Sequence, residues 1–362
     1  MLHRFLVLVL VALSASGCAL FGGARVEAVA TSVQKPSNVA LLVEVTEAGE
    51  PVAGLEPQNF KLFENGQELA PDVVKRTLLD RTPVAAERVA LLVELHGQPS
   101  SQERARLVRA VEVFVEKLRP TAAISVYAFD GSDGLKAVGD FPKGSGTVSA
   151  AALATLPGPD GSRNLHGAVV NGVRQLELRL TGENKPLRLG TLVVVARGPD
   201  LANRESEDRM IQVLDAMRLD VIAVGIGEDT PYLGFARGGV IHAQNADTLP
   251  VAMDEAATRA VMTHGKYYIV AYCSPARAGE RRVKVEVAYA NKKGEDRGGS
   301  VEHDFDATGF GPGCNPSTPP RFAPQTGGPA AAEAGGAPVN RAPDAAPNGD
   351  VVPPPAGSDY AQ

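Results

Sequence analysis

Between residues 87 and 264, short apolar runs alternate with segments whose apolar residues recur at helical spacing. The runs are "RVALLVEL", "ISVYAF", "GTLVVVA" and "LDVIAVGIG". Continuous apolar runs of this length are typical of strands buried on both faces, as in a parallel sheet. After the first run, Ser100 and Glu103 have capping-box spacing, and one helical face follows, formed by Leu107, Val111, Phe114, Val115 and Leu118. The pattern predicts an α/β fold, with helices on both faces of a doubly wound, mostly parallel sheet.

Two small β segments flank this region, at residues 38–82 and 266–314. The first contains "VALLVEV" and "FKLFENGQEL", and the second contains "KYYIVAYC" and "RRVKVEVAYA". Asn65 and Gly66 suit the two positive φ angles of a type I′ hairpin turn. Neither segment is large enough for an independent core. We therefore expect the two flanks to pack together or onto the α/β region.

Residues 1–17 have the pattern of an export signal. A short positive start precedes "FLVLVLVAL", which is too short to span a bilayer, and "SASGC" ends in small residues before Cys18. "ASGC" resembles the bacterial lipobox, in which the signal is cut before the cysteine and the thiol is acylated; an ordinary signal peptide with a chance cysteine is the alternative. In that family an aspartate after the cysteine often retains the protein at the inner membrane, but Ala19 stands here. We expect a lipid-anchored protein of the bacterial cell envelope, attached to the outer membrane.

The two ends of the mature chain differ in composition from the rest. Residues 18–37 are small and polar, which predicts a tether between the lipid and the first strand. Residues 315–362 are rich in Pro, Ala and Gly and have little apolar area to bury. Such a segment cannot offset the entropy lost on ordering, so we predict a disordered tail.

Assigning Cys18 to the lipid leaves Cys273 and Cys314 as a pair in an oxidising compartment. A disulfide is the economical interpretation, and two free thiols are the alternative. A catalytic Cys273 with His264 as its base requires a proximity that spacing does not indicate.

Charge and motifs restrict the function. The formal net charge is −6 and the basic residues form no stripe interleaved with aromatics, so we expect no nucleic-acid partner. No phosphate loop, dinucleotide fingerprint or nucleophile elbow is present, which predicts neither a cofactor nor an enzyme.

Three separated segments, "VALLVELHGQPS", "DGSRNLHGAV" and "LVVVARGPD", resemble the von Willebrand factor type A (VWA) domain in their order. The preceding "GEPVAGLEPQNFKLFENGQE" resembles the β segment that often comes before such domains in secreted bacterial proteins. The resemblance covers residues 38–306 and implies a Rossmann-like sheet with an adhesion site at the carboxyl ends of its strands.

In that family, a divalent ion is held by a DxSxS motif, a threonine and an aspartate. The corresponding positions here are Glu94, His96 and Gln98 in the first segment, Arg163 in the second and Arg197 in the third. Arginine cannot lose its proton, so two guanidinium groups at such a site would repel a cation. We therefore predict a degenerate site without a metal, in which Glu94 accepts a bidentate bond from Arg163 or Arg197.

A zinc site formed by Glu94, His96 and His166 is the rival hypothesis, although the spacing is no known zinc signature. The function expected from the resemblance is metal-independent protein binding or scaffolding, with an unknown protein partner in the envelope. A hydrolase that uses Glu94, His96 and His166, or a purely structural envelope protein, are the alternatives.

Overall fold

The computed structural model describes residues 23–95, 100–158, 160–217, 219–227 and 231–324. The predicted export signal, Cys18 and residues 325–362 of the predicted tail lie outside this part of the chain. They remain predictions. No helix of the described residues is long and apolar enough to cross a membrane.

The first part of the chain consists of short strands and one short helix. They are β1 (Ala24–Gln34), β2 (Asn38–Glu47), β3 (Glu50–Pro51), β4 (Phe60–Glu64), β5 (Gln67–Glu68), α1 (Pro71–Val74) and β6 (Thr77–Leu79). The predicted tether is wrong over residues 24–34, because β1 pairs antiparallel with β2 from end to end. Its alternating residues are mostly alanine and valine, so its apolar signal is weak until β2 supplies a partner.

The middle of the chain alternates strands and helices. They are β7 (Ala85–Glu94), α2 (Ser101–Leu118), β8 (Ala123–Phe129), β9 (Lys136–Phe141), α3 (Leu165–Gly182), β10 (Leu187–Ala196), α4 (Glu207–Met217), β11 (Asp220–Ile226), β12 (Val240–Ala243) and α5 (Leu249–Gly265). The strands form one sheet in the order β12-β11-β10-β7-β8-β9. All neighbours are parallel except β8 and β9. The predicted α/β class with a mostly parallel sheet is confirmed.

Helices cover both faces of this central sheet. The apolar faces of α2 and α5 share one core with the sheet, and those of α3 and α4 share the other. The predicted capping box starts α2, since Ser100 Oγ accepts from the Glu103 backbone N–H and Glu103 accepts from the Ser100 backbone N–H. Each buried Leu or Val contributes about 1.5–3 kcal/mol to this packing.

The last strands are β13 (Tyr267–Cys273), β14 (Glu280–Ala290) and β15 (Asp296–Asp306). β13 inserts between β2 and β6, whereas β14 lies between β4 and β15. The two resulting antiparallel sheets enclose a shared core that includes Phe60, Tyr272 and Val285. The predicted packing of the two flanks against each other is therefore confirmed, as are the positive φ angles of Asn65 (48°) and Gly66 (82°).

Cys273, at the end of β13, forms a disulfide with Cys314, which confirms that pairing and excludes two free thiols. Residues 315–324, which follow Cys314, make defined contacts with the rest of the molecule. Phe322 is buried at 5% exposure, so the predicted disordered tail is wrong for residues 315–324. Composition did not predict this contact, because a single aromatic residue in a proline-rich segment packs against residues that are distant in the sequence.

His264, near the end of α5, is buried beneath the central sheet. Its Nε2 lies 3.0 Å from Thr191 Oγ1 of β10. Burial lowers the pKa of His264 to about 4, and the nearby charges of Glu87, Arg81 and Lys143 act on it more weakly. The imidazole is therefore neutral in the folded protein at neutral pH.

This burial predicts a pH dependence of stability. The unfolded state binds a proton at His264 below its ordinary pKa of about 6.5, whereas the folded state does not until about pH 4. The stabilisation is complete above about pH 6.5 and is lost as the pH falls towards 4, by about 3 kcal/mol at most. Urea unfolding at several pH values should show a smaller decrease for His264→Gln than for the native protein. His242→Gln, at an exposed position, is the control and should retain the native dependence.

Candidate functional site

The candidate site lies at the carboxyl ends of the central strands, where ligands collect in open α/β sheets. Glu94 ends β7, and Arg197 directly follows β10, its neighbour in the sheet. Parallel pairing thus places these two residues side by side, as their sequence positions predict.

Glu94 is only 3% exposed, and its carboxylate is bound to the main chain. Its Oε2 accepts a hydrogen bond from the Arg197 backbone N–H over 2.6 Å. The prediction that a guanidinium group would make a bidentate bond to Glu94 is therefore wrong. The reason is the register of β7 and β10, which places the main chain after Ala196 next to Glu94. The Arg197 backbone N–H therefore reaches the carboxylate, and the Arg197 side chain does not.

Arg163 also lies at this edge, in the loop before α3. Its Nε donates to the Pro199 carbonyl over 3.1 Å, and its own carbonyl accepts from Leu201 and Ala202. The guanidinium group covers Gly198, where a Cβ atom would lie 2.7 Å from Arg163 Cζ. The structure thus brings Glu94, Arg163 and the segment that follows β10 together. Glycine at position 198 permits this contact.

The Arg197 side chain is half-buried, and its Nε has no hydrogen-bond partner among the described residues. It lines a recess of about 410 Å³ beside the first turn of α2 and residues 244–247. On the same wall, Arg106 Nε pairs with Asp247 over 2.5 Å. The pKa of Glu103 is lowered, first by its bond from the Ser100 backbone and further by Arg197. The recess therefore offers polar groups of both signs.

A repeated Asp-Gly-Ser turn, missed in the sequence, supports the neighbouring loops. Asp130 and Asp160 each accept from the backbone N–H and the hydroxyl of the serine two residues later. Asp130 is fully buried, and Lys136 pairs with it. The two copies of "DGS" in the sequence were the available signal.

Arg204 joins these two turns. Its Nε donates to the Gly131 carbonyl over 2.6 Å, and its terminal nitrogens pair with Asp133 and Asp160. Together with Lys136, it places two fixed cations among the carboxylates of this edge. The pKa of Asp160 is lowered, first by its bonds from Ser162 and then by Arg204, so this carboxylate is ionised.

His166 lies in the first turn of α3, and its backbone N–H donates to Asp200 over 3.0 Å. Its ring Nδ1 lies 3.3 Å from the Glu205 carbonyl. His96 and Gln98 lie outside the described residues, so their positions in the site remain predictions. Within the described ranges, no three His, Cys, Asp or Glu side chains are grouped as metal ligands, but this leaves the zinc hypothesis untested because it includes His96.

A search of family models found no match, and no curated protein matches the chain. Similar solved structures include a von Willebrand factor type A protein from Catenulispora acidiphila, with 14% identity over 79% of this chain and 73% of that one, at a TM-score of 0.39. The manganese-loaded TRAP protein of Plasmodium vivax shares 10% identity over 68% of this chain and 98% of that one, at 0.37. The SpRpn10 VWA domain shares 16% sequence identity over 45% of this chain and 93% of that one, at a TM-score of 0.33. The fold class rests on the strand order and pairing described above.

The buried carboxylate of Glu94 predicts a measurable contribution to stability. Glu94→Gln keeps an acceptor for Arg197 but removes the charge, and should cost about 1 kcal/mol, since bonds to charged groups are stronger than neutral ones. Glu94→Ala leaves the buried Arg197 N–H without an acceptor and should lower the free energy of unfolding by about 3 kcal/mol. Urea unfolding measures both variants, and Glu255→Gln, at an exposed position of α5, is the control. A Glu94→Ala variant as stable as the native protein would contradict the role of this bond.

Proposed function

We propose that the protein is a lipid-anchored component of the bacterial cell envelope that binds a protein partner through the carboxyl-terminal edge of its central sheet. Binding requires neither a metal ion nor a catalytic step. The observation that carries the proposal is the arrangement of Glu94, Arg163 and Arg197: the Glu94 carboxylate accepts from the Arg197 main chain, Arg163 donates to the Pro199 carbonyl, and the half-buried Arg197 side chain lines the neighbouring recess.

The fixed cations of this edge support metal independence. A divalent ion needs several oxygen ligands with near-ideal geometry. Glu94 already accepts from Arg197, whereas Lys136 and Arg204 neutralise the carboxylates of the adjacent turns. An ion at this edge would have to displace cations that are covalently part of the chain.

The chemistry of the surface favours a protein as the partner. Arg163 and Arg197 present guanidinium groups, which are enriched at protein interfaces. Leu201, in the loop bonded to Arg163, is 53% exposed and adds an apolar contact beside them. Gln244 and Asn245 line the recess next to Arg197 and can bond to a partner's main chain.

No observation on the described residues favours the alternative of a hydrolase. His166 bonds to the loop at residues 200–205, and Glu94 bonds to Arg197. The pair formed by Thr191 and His264 resembles a nucleophile with its base, but Thr191 is fully buried and beyond the reach of a substrate.

The binding proposal predicts that one charge reversal abolishes partner capture. Mature protein should capture its partner from detergent-solubilised membranes, and Arg163→Glu should lose the partner, because the new carboxylate replaces a donor beside Leu201. Lys61→Glu makes the same charge change on the exposed surface of β4 and should capture as the native protein does. Equal capture by both variants would place the binding surface elsewhere.

Metal independence is tested in the same experiment. EDTA should leave capture unchanged, and millimolar magnesium, calcium, manganese or zinc should leave the melting temperature unchanged. A site filled a hundredfold above its dissociation constant would add about 2.7 kcal/mol. This corresponds to a shift of several degrees, and such a shift, or EDTA-sensitive capture, would refute metal independence.

The anchor is tested at Cys18, from which "SASGC" predicts acylation. Cys18→Ser should not be acylated, so the protein should appear in the soluble fraction or keep its signal uncleaved. Several acyl chains on one residue make a stable anchor, since each buried methylene adds about 0.8 kcal/mol. Cell fractionation with Cys273→Ser as the control separates the two roles of cysteine. Native-like membrane partitioning of a cleaved Cys18→Ser protein would contradict the lipid anchor.

A further inference from the structure

The segment of residues 314–324, here called the strap, crosses the outer surface of the sheet formed by β1, β2, β13 and β6. Two hydrogen bonds attach it, one from Asn38 Nδ2 to the Asn315 carbonyl over 3.0 Å and one from the Arg321 N–H to Ser32 Oγ over 2.9 Å. Its sequence, "CNPSTPPRFAP", has a proline at four positions, which lack an N–H and cannot extend a strand ladder. Few main-chain bonds therefore hold the strap.

Phe322 is the largest buried side chain of the strap, in which Pro316 and Pro320 are also buried, and the core cluster to which it belongs, here called its seat, combines two parts of the molecule. One wall comes from β2 and β13, with Ala40, Leu42 and Ile269. The other comes from the first residues of β7 and β10 and the turn before β7, with Ala85, Leu187, Leu189 and Val84. Phe322 thus belongs to the core at the seam between the β sandwich and the central sheet, and its removal would expose apolar surface in that core.

The disulfide from Cys273 to Cys314 fixes the start of the strap. Both cysteines are only partly buried, so a small thiol can reach the sulfurs. On the other side of the bond, Phe310 is anchored independently. It is 8% exposed, belongs to the sandwich core and stacks with Phe305 at a centroid distance of 6.1 Å. The segment before the disulfide therefore has an anchor that does not depend on this bond.

We propose that the strap is a redox-released cover: reduction of the Cys273–Cys314 bond withdraws Phe322 and opens the apolar seat at the seam. A dithiol reductant attacks one sulfur as a thiolate, forms a mixed disulfide and expels the other cysteine as a thiolate, which takes up a proton. The second thiol of the reductant then closes its own disulfide and releases the remaining cysteine. Two protein thiols form, and the dithiol is oxidised. The inference is independent of the proposed function, because the seat of Phe322 lies at the first residues of β7 and β10, whereas the proposed binding surface lies at the carboxyl ends of the central strands.

The chain contains no tryptophan, so a single introduced tryptophan reports on one position. Phe322→Trp should emit as a buried indole in the oxidised protein and shift to the red after dithiothreitol, with reversal on reoxidation. Phe310→Trp is the matched control, four residues before Cys314, and should not shift. Thiol counting confirms reduction in both proteins. Phe322→Trp with Cys314→Ser should show the shifted emission without any reductant.

Two results would overturn the proposal. An unchanged emission of Phe322→Trp after complete reduction would show that the strap stays in place without its disulfide. A red shift in both reporters would show that reduction unfolds the sandwich instead of releasing the strap. If tryptophan does not fit the seat, amide exchange in the unsubstituted protein decides the question. Reduction should accelerate exchange at Arg321, which donates to Ser32, and leave Val285 in the centre of β14 protected.

Discussion

The antiparallel pairing of β2 with β13 holds together parts of the chain that are more than two hundred residues apart. It runs from Asn38 opposite Cys273 to Glu44 opposite Tyr267. Every element from β7 to α5 lies between these two strands in sequence, so the central sheet is an insertion whose ends are fixed at one place. The pairing completes the sandwich core, positions the disulfide and forms one wall of the Phe322 seat. Closing so long a loop is entropically costly, so the contact requires the large apolar surface that β2 and β13 bury.

At this junction lies Lys266, a buried ammonium group between the sandwich and the central sheet. Its Nζ pairs with Glu44 of β2 over 2.8 Å and with Asp220 of β11 over 2.7 Å. Although burial alone opposes the charge, the carboxylates of Asp220 and Glu44 raise the pKa of Lys266, so it remains protonated. Lys266 can contact both carboxylates in only one relative position of the two sheets. The two ion pairs therefore fix how the sheets are oriented and oppose sliding between them. Phe322, through apolar packing, and Lys266, through its two ion pairs, thus both restrain the seam between the sandwich and the central sheet.

Local patterns predicted those parts of the fold that local interactions determine. The apolar runs gave the central strands, and Ser100 with Glu103 gave the start of α2, because both signals act within a few residues. The position of Phe322 and the strand β1 depend on partners elsewhere in the chain, so composition alone assigned both segments to irregular structure. The site shows the same division. Chain order placed Glu94 beside Arg197, but strand register decided that the backbone of Arg197, and not its guanidinium group, binds the carboxylate.

The charges at the edge of the sheet also determine how the proposed binding surface can be controlled. A surface organised by a divalent ion gains and loses its geometry with ion concentration, since the ion is a ligand that can leave. Here Arg163 lies over Gly198, Arg204 bridges the Asp-Gly-Ser turns and Lys136 pairs with the buried Asp130. These cations are covalently attached, so they are present whenever the protein is folded. The proposed surface is consequently pre-organised, and control over its partner must come from elsewhere in the molecule or from the partner itself.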